Sequence, residues 1–329
     1  MNGANDMTAP RVSSPSTANS RKLPAAQVVG RHAANLLHYQ SERPPGADES
    51  ARIWCHRSLA GVELFRGSYK TYQAARHFHT VPAIGIVARG SMSSYCRGAT
   101  HNRPTGTVFL INPEEVHAPG PALSNGWVLQ AFYFDNLVYC ERSRNFSLSA
   151  LRFSQLFIRD PQLTRKLLSL HRALEHDISA LAVESALLPV FRLIAKRYSS
   201  GTYRSFAPKP NSERIRRVRE YLDAHYERNI TLDELANLAE FSPFHLLRTF
   251  RNSVRLTPRA YLTQVRVEAA KSFLRFGRTI SHVALETGFT DQSHFTRHFK
   301  RITGLTPGQY FPRIETPKAA RSETDEWKL

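Results

Sequence analysis

From Arg52 to Asp135, short apolar stretches alternate with turn signals at Arg89-Gly90-Ser91, Arg103-Pro104-Thr105-Gly106, Asn112-Pro113 and Pro119-Gly120-Pro121. That spacing predicts an antiparallel β-sandwich or barrel. The run WVLQAFYF, Trp127 to Phe134, is apolar on both faces and fits a strand inside a double-layered sheet. After Asp160-Pro161 the period lengthens to a helical one, with Leu163, Leu167, Leu170 and Leu174, then Leu181, Leu188, Phe191 and Ile194. Two helices meeting around His176-Asp177 are predicted, with stripes wide enough to cover the sandwich and face a second copy. Residues 199–213 then collect Ser, Gly and Pro, the mark of a linker.

Beyond the linker the pattern is helical throughout and occurs twice. Thr231, Ala236 and Phe241 match Thr279, Ala284 and Phe289 at an offset of 48. After one inserted residue, His245, Arg248, Phe250, Thr257-Pro258 and Tyr261 match His294, Arg297, Phe299, Thr306-Pro307 and Tyr310. Each copy predicts a short helix, a tight turn and a second helix with a polar first turn, which is a helix-turn-helix. Gly288 suits the positive φ of such a turn, whereas its counterpart Glu240 would adopt it at a cost of about 1 kcal/mol.

Helical spacing points Leu246 and Phe250 inward and leaves Phe244, Leu247, Arg248 and Arg251 outside. In the second copy Phe295 and Phe299 are the anchors, and Gln292, Ser293, His294, Thr296, Arg297 and Lys300 are available. Arg pairs with a guanine edge and Gln with an adenine edge, while an apolar side chain such as Leu247 meets a thymine methyl. The expected base contacts are therefore Phe244, Leu247, Arg248, Gln292, Ser293, His294, Thr296 and Arg297. Arg251, Lys271 and Lys300 are expected on phosphates. Asp291 or Thr290 should cap the second reading helix.

The stretch Gly288 to Phe311, GFTDQSHFTRHFKRITGLTPGQYF, and FSPFHLLRTFR from Phe241 to Arg251 resemble the AraC/XylS family of bacterial transcription regulators. That resemblance implies a rigid helix from about Thr257 to Phe276 that sets the two reading helices in successive major-groove turns. It also implies a sequence-specific regulator of transcription, most often an activator that contacts RNA polymerase. More loosely, Phe65 to Asp135 resembles the family's cupin-like sensor domain through His77-Phe78-His79, Gly90, Gly106 and the run Ile111 to His117.

The resulting expectation is an α+β multi-domain chain. It comprises a tail (1–50), a β-sandwich or cupin-like barrel (51–158), a helical dimerisation segment (159–200), a linker (201–211), an all-α domain with two helix-turn-helix units (212–313) and a second tail (314–329).

With 329 residues and a net charge of +18, the chain favours polyanionic partners, above all double-stranded DNA. No apolar run approaches the roughly 20 residues that span a bilayer, and the amino terminus lacks a signal core. The expected setting is the bacterial cytoplasm, at the nucleoid, with no membrane partner. Cys55, Cys96 and Cys140 show no C-x-x-C spacing and suggest neither zinc nor disulfides.

In a strand, His77 and His79 share a face and His117 can converge on them, which gives three possible metal ligands. Enzymatic cupins supply a carboxylate a few residues after the paired histidines, where this chain has Ala83 and Ile84. The three histidines are therefore expected to contact an effector or pack, with no metal and no cofactor assigned. The partners expected are DNA, a small-molecule effector, RNA polymerase and a second copy of the chain. Two enzymatic classes stay distinguishable: a metal-dependent cupin enzyme would carry stoichiometric metal, and a DNA-repair methyl acceptor would need an activated cysteine.

Overall fold

Period-two alternation along the strands sorts their side chains into two cores. The computed structural model describes residues 49–56, 61–134, 152–176, 179–199 and 211–310. The first expected tail up to residue 48, the whole of the second, nearly all of the linker and Cys140 lie outside them. The strands are β1 (Ser50–Cys55), β2 (Val62–Tyr69), β3 (Ala83–Cys96), β4 (Ala99–Pro104), β5 (Thr107–Ile111), β6 (His117–Pro121), β7 (Trp127–Phe134) and β8 (Phe157–Arg159). All pairs are antiparallel, in the order β1-β2-β7-β3-β5-β8, with β4 and β6 also on β3. The first half of β3 pairs with β5 and β7, its second half with β4 and β6, and the register shifts between Val87 and Arg89. Such an irregularity bends a strand and lets β3 serve both layers.

On one face Val62, Leu64, Ile84, Ile86, Val108, Leu110, Phe132 and Phe134 form a core with two helices, α1 (Pro161–Ala173) and α2 (Ala180–Tyr198). Phe134 meets Phe191 of α2 edge-on at 4.7 Å. The apolar outer face of β7 is thus covered by helices, not by the second sheet that its pattern suggested. Leu163, Leu167, Leu170 and Leu174 are buried as the periodicity indicates. The stripe on α2 is shifted: Val183, Leu187, Val190, Phe191 and Ile194 are buried, Leu188 is half-buried and Leu181 is 74% exposed. Several apolar stripes fit this leucine-rich helix, and contact with the sheet selects among them.

Asp160 caps α1, accepting from the backbone N–H of Gln162 and Leu163 at 3.0 Å. The same carboxylate accepts from Arg197 Nη1 at 2.9 Å and Tyr198 Oη at 2.6 Å, which ties the end of α2 to the start of α1.

The opposite sheet face carries Phe65, Val87, Phe109, Ile111, Leu129 and Ala131, and its core runs on into the carboxy-terminal helices. These are α3 (Ser212–Ala224), α4 (Leu232–Ala239), α5 (Pro243–Val254), α6 (Pro258–Arg275), α7 (Ile280–Glu286), α8 (Gln292–Thr303) and the short α9 (Pro307–Tyr310). Leu235, Ala236, Leu246 and Phe250 pack with Ile215, Val218 and Leu222 of α3. Val283, Ala284, Phe289, Phe295 and Phe299 form the equivalent core of the second unit.

Candidate DNA-reading surface and effector cavity

The repeat folds as two helix-turn-helix units, α4-α5 and α7-α8, joined by α6. Thr231, Ser242, Thr279 and Asp291 each accept a hydrogen bond from the N–H three residues on, so all four helices start on a side-chain cap. At the first turn Glu240 takes the left-handed conformation (φ 53°, ψ 47°). Arg214 offsets the strain by donating to the Glu240 carbonyl at 3.1 Å and pairing with its carboxylate at 2.9 Å. At the second turn Gly288 has φ +78°, and a Cβ there would stand 2.6 Å from the Glu227 carbonyl. Glycine is required at this turn for space as well as for conformation.

Phe244, Leu247, Arg248 and Arg251 are exposed on α5, with Phe244 at 76%. Gln292, Ser293 and Arg297 are exposed on α8, while Thr296 and Lys300 are half-buried. His294 is also half-buried: its Nδ1 bonds with the Thr290 hydroxyl at 3.0 Å and its ring meets Phe289 and His298.

Lys271 requires a correction. Its Nζ pairs with Glu268 Oε1 at 2.7 Å, both side chains are largely buried, and both line a cavity facing the sheet. Counting charges on a helix does not reveal which face another domain covers, so its assignment to DNA phosphate does not stand.

That cavity, about 620 Å³, lies between the sensor strands and the DNA-binding helices. Phe65, Phe109, Leu129 and Tyr133 wall it on one side, and Ile302, Leu305 and Tyr310 close it on the other. Helix α6 contributes Glu268, Lys271 and Arg275 to that lining, with Gln264 one turn before them at the contact with the sensor strands. Gln264 Nε2 donates to Glu268 and to the Phe78 carbonyl, both at 2.9 Å. Lys271 follows, then Arg275, whose Nε donates to Glu63 Oε1 of β2 at 3.0 Å. The sequence reading missed Gln264, Glu268 and Arg275 as functional residues, although positions i, i+4, i+7 and i+11 on an otherwise packed helix were the signal. A second bridge joins Arg219 of α3 to Glu114 at 2.8 Å. Tyr69 Oη and Trp127 Nε1, buried in side chains that line the cavity, have no hydrogen-bond partner among the described residues.

His77, His79 and His117 stand together on the same wall. His117 opens β6, whereas His77 and His79 lie outside the named strands, with a single bridge pairing His77 with His117, not in the regular strand expected for them. Burial, and then the neighbouring His117, hold the His77 and His79 rings well below the usual histidine range. Burial likewise lowers His117. Burial, aided by Glu63, pushes the Cys55 thiol up to about 11, and burial with Glu115 pushes Cys96 up to about 12. Those directions are opposite to the activation of a methyl-accepting thiol.

A family model described as an AraC-like ligand binding domain matches residues 59–191, and a helix-turn-helix domain model matches 235–313. The chain is 31% identical over 237 residues to the HTH-type transcriptional regulator YbfI of Bacillus subtilis, covering 71% of this chain and 85% of that protein. It is 35% identical over 102 residues to the bifunctional transcriptional activator/DNA repair enzyme AdaA of the same organism, 31% of this chain and 48% of that one. ToxT of Vibrio cholerae O395 superposes with a TM-score of 0.45 at 12% identity, over 80% of this chain and 96% of that structure.

Proposed function

The chain belongs to the AraC-type helix-turn-helix transcriptional regulators with a ligand-binding domain, and from that premise we propose how it reads DNA and senses its effector. Arg248 on α5 and Gln292, Ser293 and Arg297 on α8 meet base edges, and Phe244 and Leu247 add apolar contacts. Arg251 and Lys300 serve phosphates. A small molecule enters the cavity between the sheet and α6. Tyr69 Oη and Trp127 Nε1 offer it two donors, so ligands with acceptors among apolar surface suit the site.

One observation carries this reading: α6 is both a wall of the cavity and the connection between the two reading helices. An occupant that displaces α6 from β2 shifts α5 and α8 together. The finer assignments are activation through RNA polymerase, a homodimer built through α1 and α2 with Leu181 outward, and residence at the bacterial nucleoid. Among the described residues no helix is long and apolar enough to cross a membrane.

Selection of bound sites from random DNA by the full chain tests the reading function. A shared two-part motif is expected, and sites without a common motif would overturn it. Small molecules that raise the thermal midpoint of the full chain should also change its affinity for the selected site. Stabilisers that leave operator affinity unchanged would remove the coupling.

A further inference from the structure

Three imidazoles converge on one point of the cavity wall. One ring nitrogen from each of His77, His79 and His117 lies within 4.8 Å of the other two. Ring centroids are 4.4 Å apart for His77 and His117 and 5.0 Å for each pair with His79.

Hydrogen bonding fixes the orientation of two of these rings. Nδ1 of His77 contacts the Ala75 carbonyl at 2.8 Å, and Nδ1 of His117 contacts the Glu115 carbonyl at 2.8 Å. A carbonyl only accepts, so each Nδ1 carries the proton and, in the neutral ring, each Nε2 keeps a lone pair. Such an outer hydrogen bond orients a metal-binding histidine and raises its basicity. The backbone is equally fixed: the N–H of His77 donates to the His117 carbonyl at 2.9 Å, and that of His117 to the His77 carbonyl at 2.8 Å. The Glu114 N–H holds the His79 carbonyl at 2.8 Å. Lys271, which lines the same cavity, is paired with Glu268 at 2.7 Å.

We propose that His77, His79 and His117 form a three-imidazole site for a divalent first-row transition metal of the zinc type, with a further coordination position open to the cavity. Imidazole nitrogen suits zinc, copper, nickel and iron, whereas calcium and magnesium take oxygen. Three protein ligands with one position left for water or another donor is a known geometry for such ions. Nitrogens on one tetrahedral zinc stand about 3.3 Å apart, within reach of small side-chain rotations. The site depends on neither the operator reading nor the effector reading.

The full chain, stripped with a chelator and titrated calorimetrically with zinc chloride, should bind one ion per chain. Zinc K-edge X-ray absorption of the loaded wild type should show three imidazole nitrogens at about 2.0–2.1 Å. His79→Ala and His117→Ala should each weaken binding at least about 100-fold, since losing only an outer partner costs 10- to 100-fold. His298→Ala, which removes a histidine elsewhere, should bind as the wild type does. Folded wild type without stoichiometric binding, a spectrum with fewer imidazoles, or full affinity in both variants would overturn the proposal. If either variant fails to fold, the wild-type spectrum decides.

Discussion

Lys271 Nζ stands 2.7 Å from Glu268 Oε1, one turn earlier on α6, and both side chains face the cavity. A basic residue in a DNA-binding domain is thereby turned away from DNA by the domain packed against it.

Lys271→Ala should therefore leave the salt dependence of DNA binding unchanged. Arg251→Ala should lower the slope of log affinity against log salt by about one. Fluorescence anisotropy across a salt series checks both, and an equal drop for Lys271→Ala would return that residue to the DNA surface.

The two reading helices share a scaffold but differ in chemistry. Arg248→Ala and Arg297→Ala should each cost about 1–3 kcal/mol of operator affinity and relax selectivity in separate segments. Site selection with each variant decides the matter. Loss of preference at the same base positions would contradict a helix-by-helix division.

Phenylalanines near one another in sequence should differ widely in their effect on stability. Phe250 and Phe299 are fully buried, so truncation to alanine should cost about 3–5 kcal/mol each. Phe244→Ala, at 76% exposure, should change folding by less than about 0.5 kcal/mol while weakening DNA binding. Denaturant titration beside anisotropy separates the two effects.

Acid should act through Asp160. Burial raises its pKa, but bonds from Tyr198, the Leu163 N–H and Arg197 outweigh this and hold the carboxyl below the usual aspartate range. A lowered folded pKa gives stability that is present above the unfolded value of about 3.9 and lost as pH falls through the folded value. Asp160→Asn can still cap α1 but cannot pair with Arg197. It should be less stable at pH 7 and show a shallower loss below about pH 4 in thermal unfolding. An unchanged acid limb would remove this role.

The reading helices are legible in the sequence because their information is local. Caps and inward anchors such as Leu246 and Phe250 lie within a few turns of one another, and the same pattern recurs about 48 residues later. The left-handed Glu240 follows from its match to Gly288. The cavity is not local: Glu63 and Arg275 meet across 212 positions of sequence, and no period in either segment announces the other. The histidines fall between these cases. The His77 and His79 spacing is visible, but the convergence of His117 requires the bridge that only the folded chain makes. On α2, an excess of leucine hides the true stripe until the sheet selects it.

Glu268, Lys271 and Arg275 belong by chain position to the DNA-binding half, yet they finish the pocket of the other half, and Gln264 on the same helix donates to the Phe78 carbonyl beside it. A cut at residues 201–211, the natural seam for exchanging sensors between regulators, would leave each pocket with a foreign wall. Specificity for a new inducer would then fail to travel with the transplanted module unless those four positions travelled too.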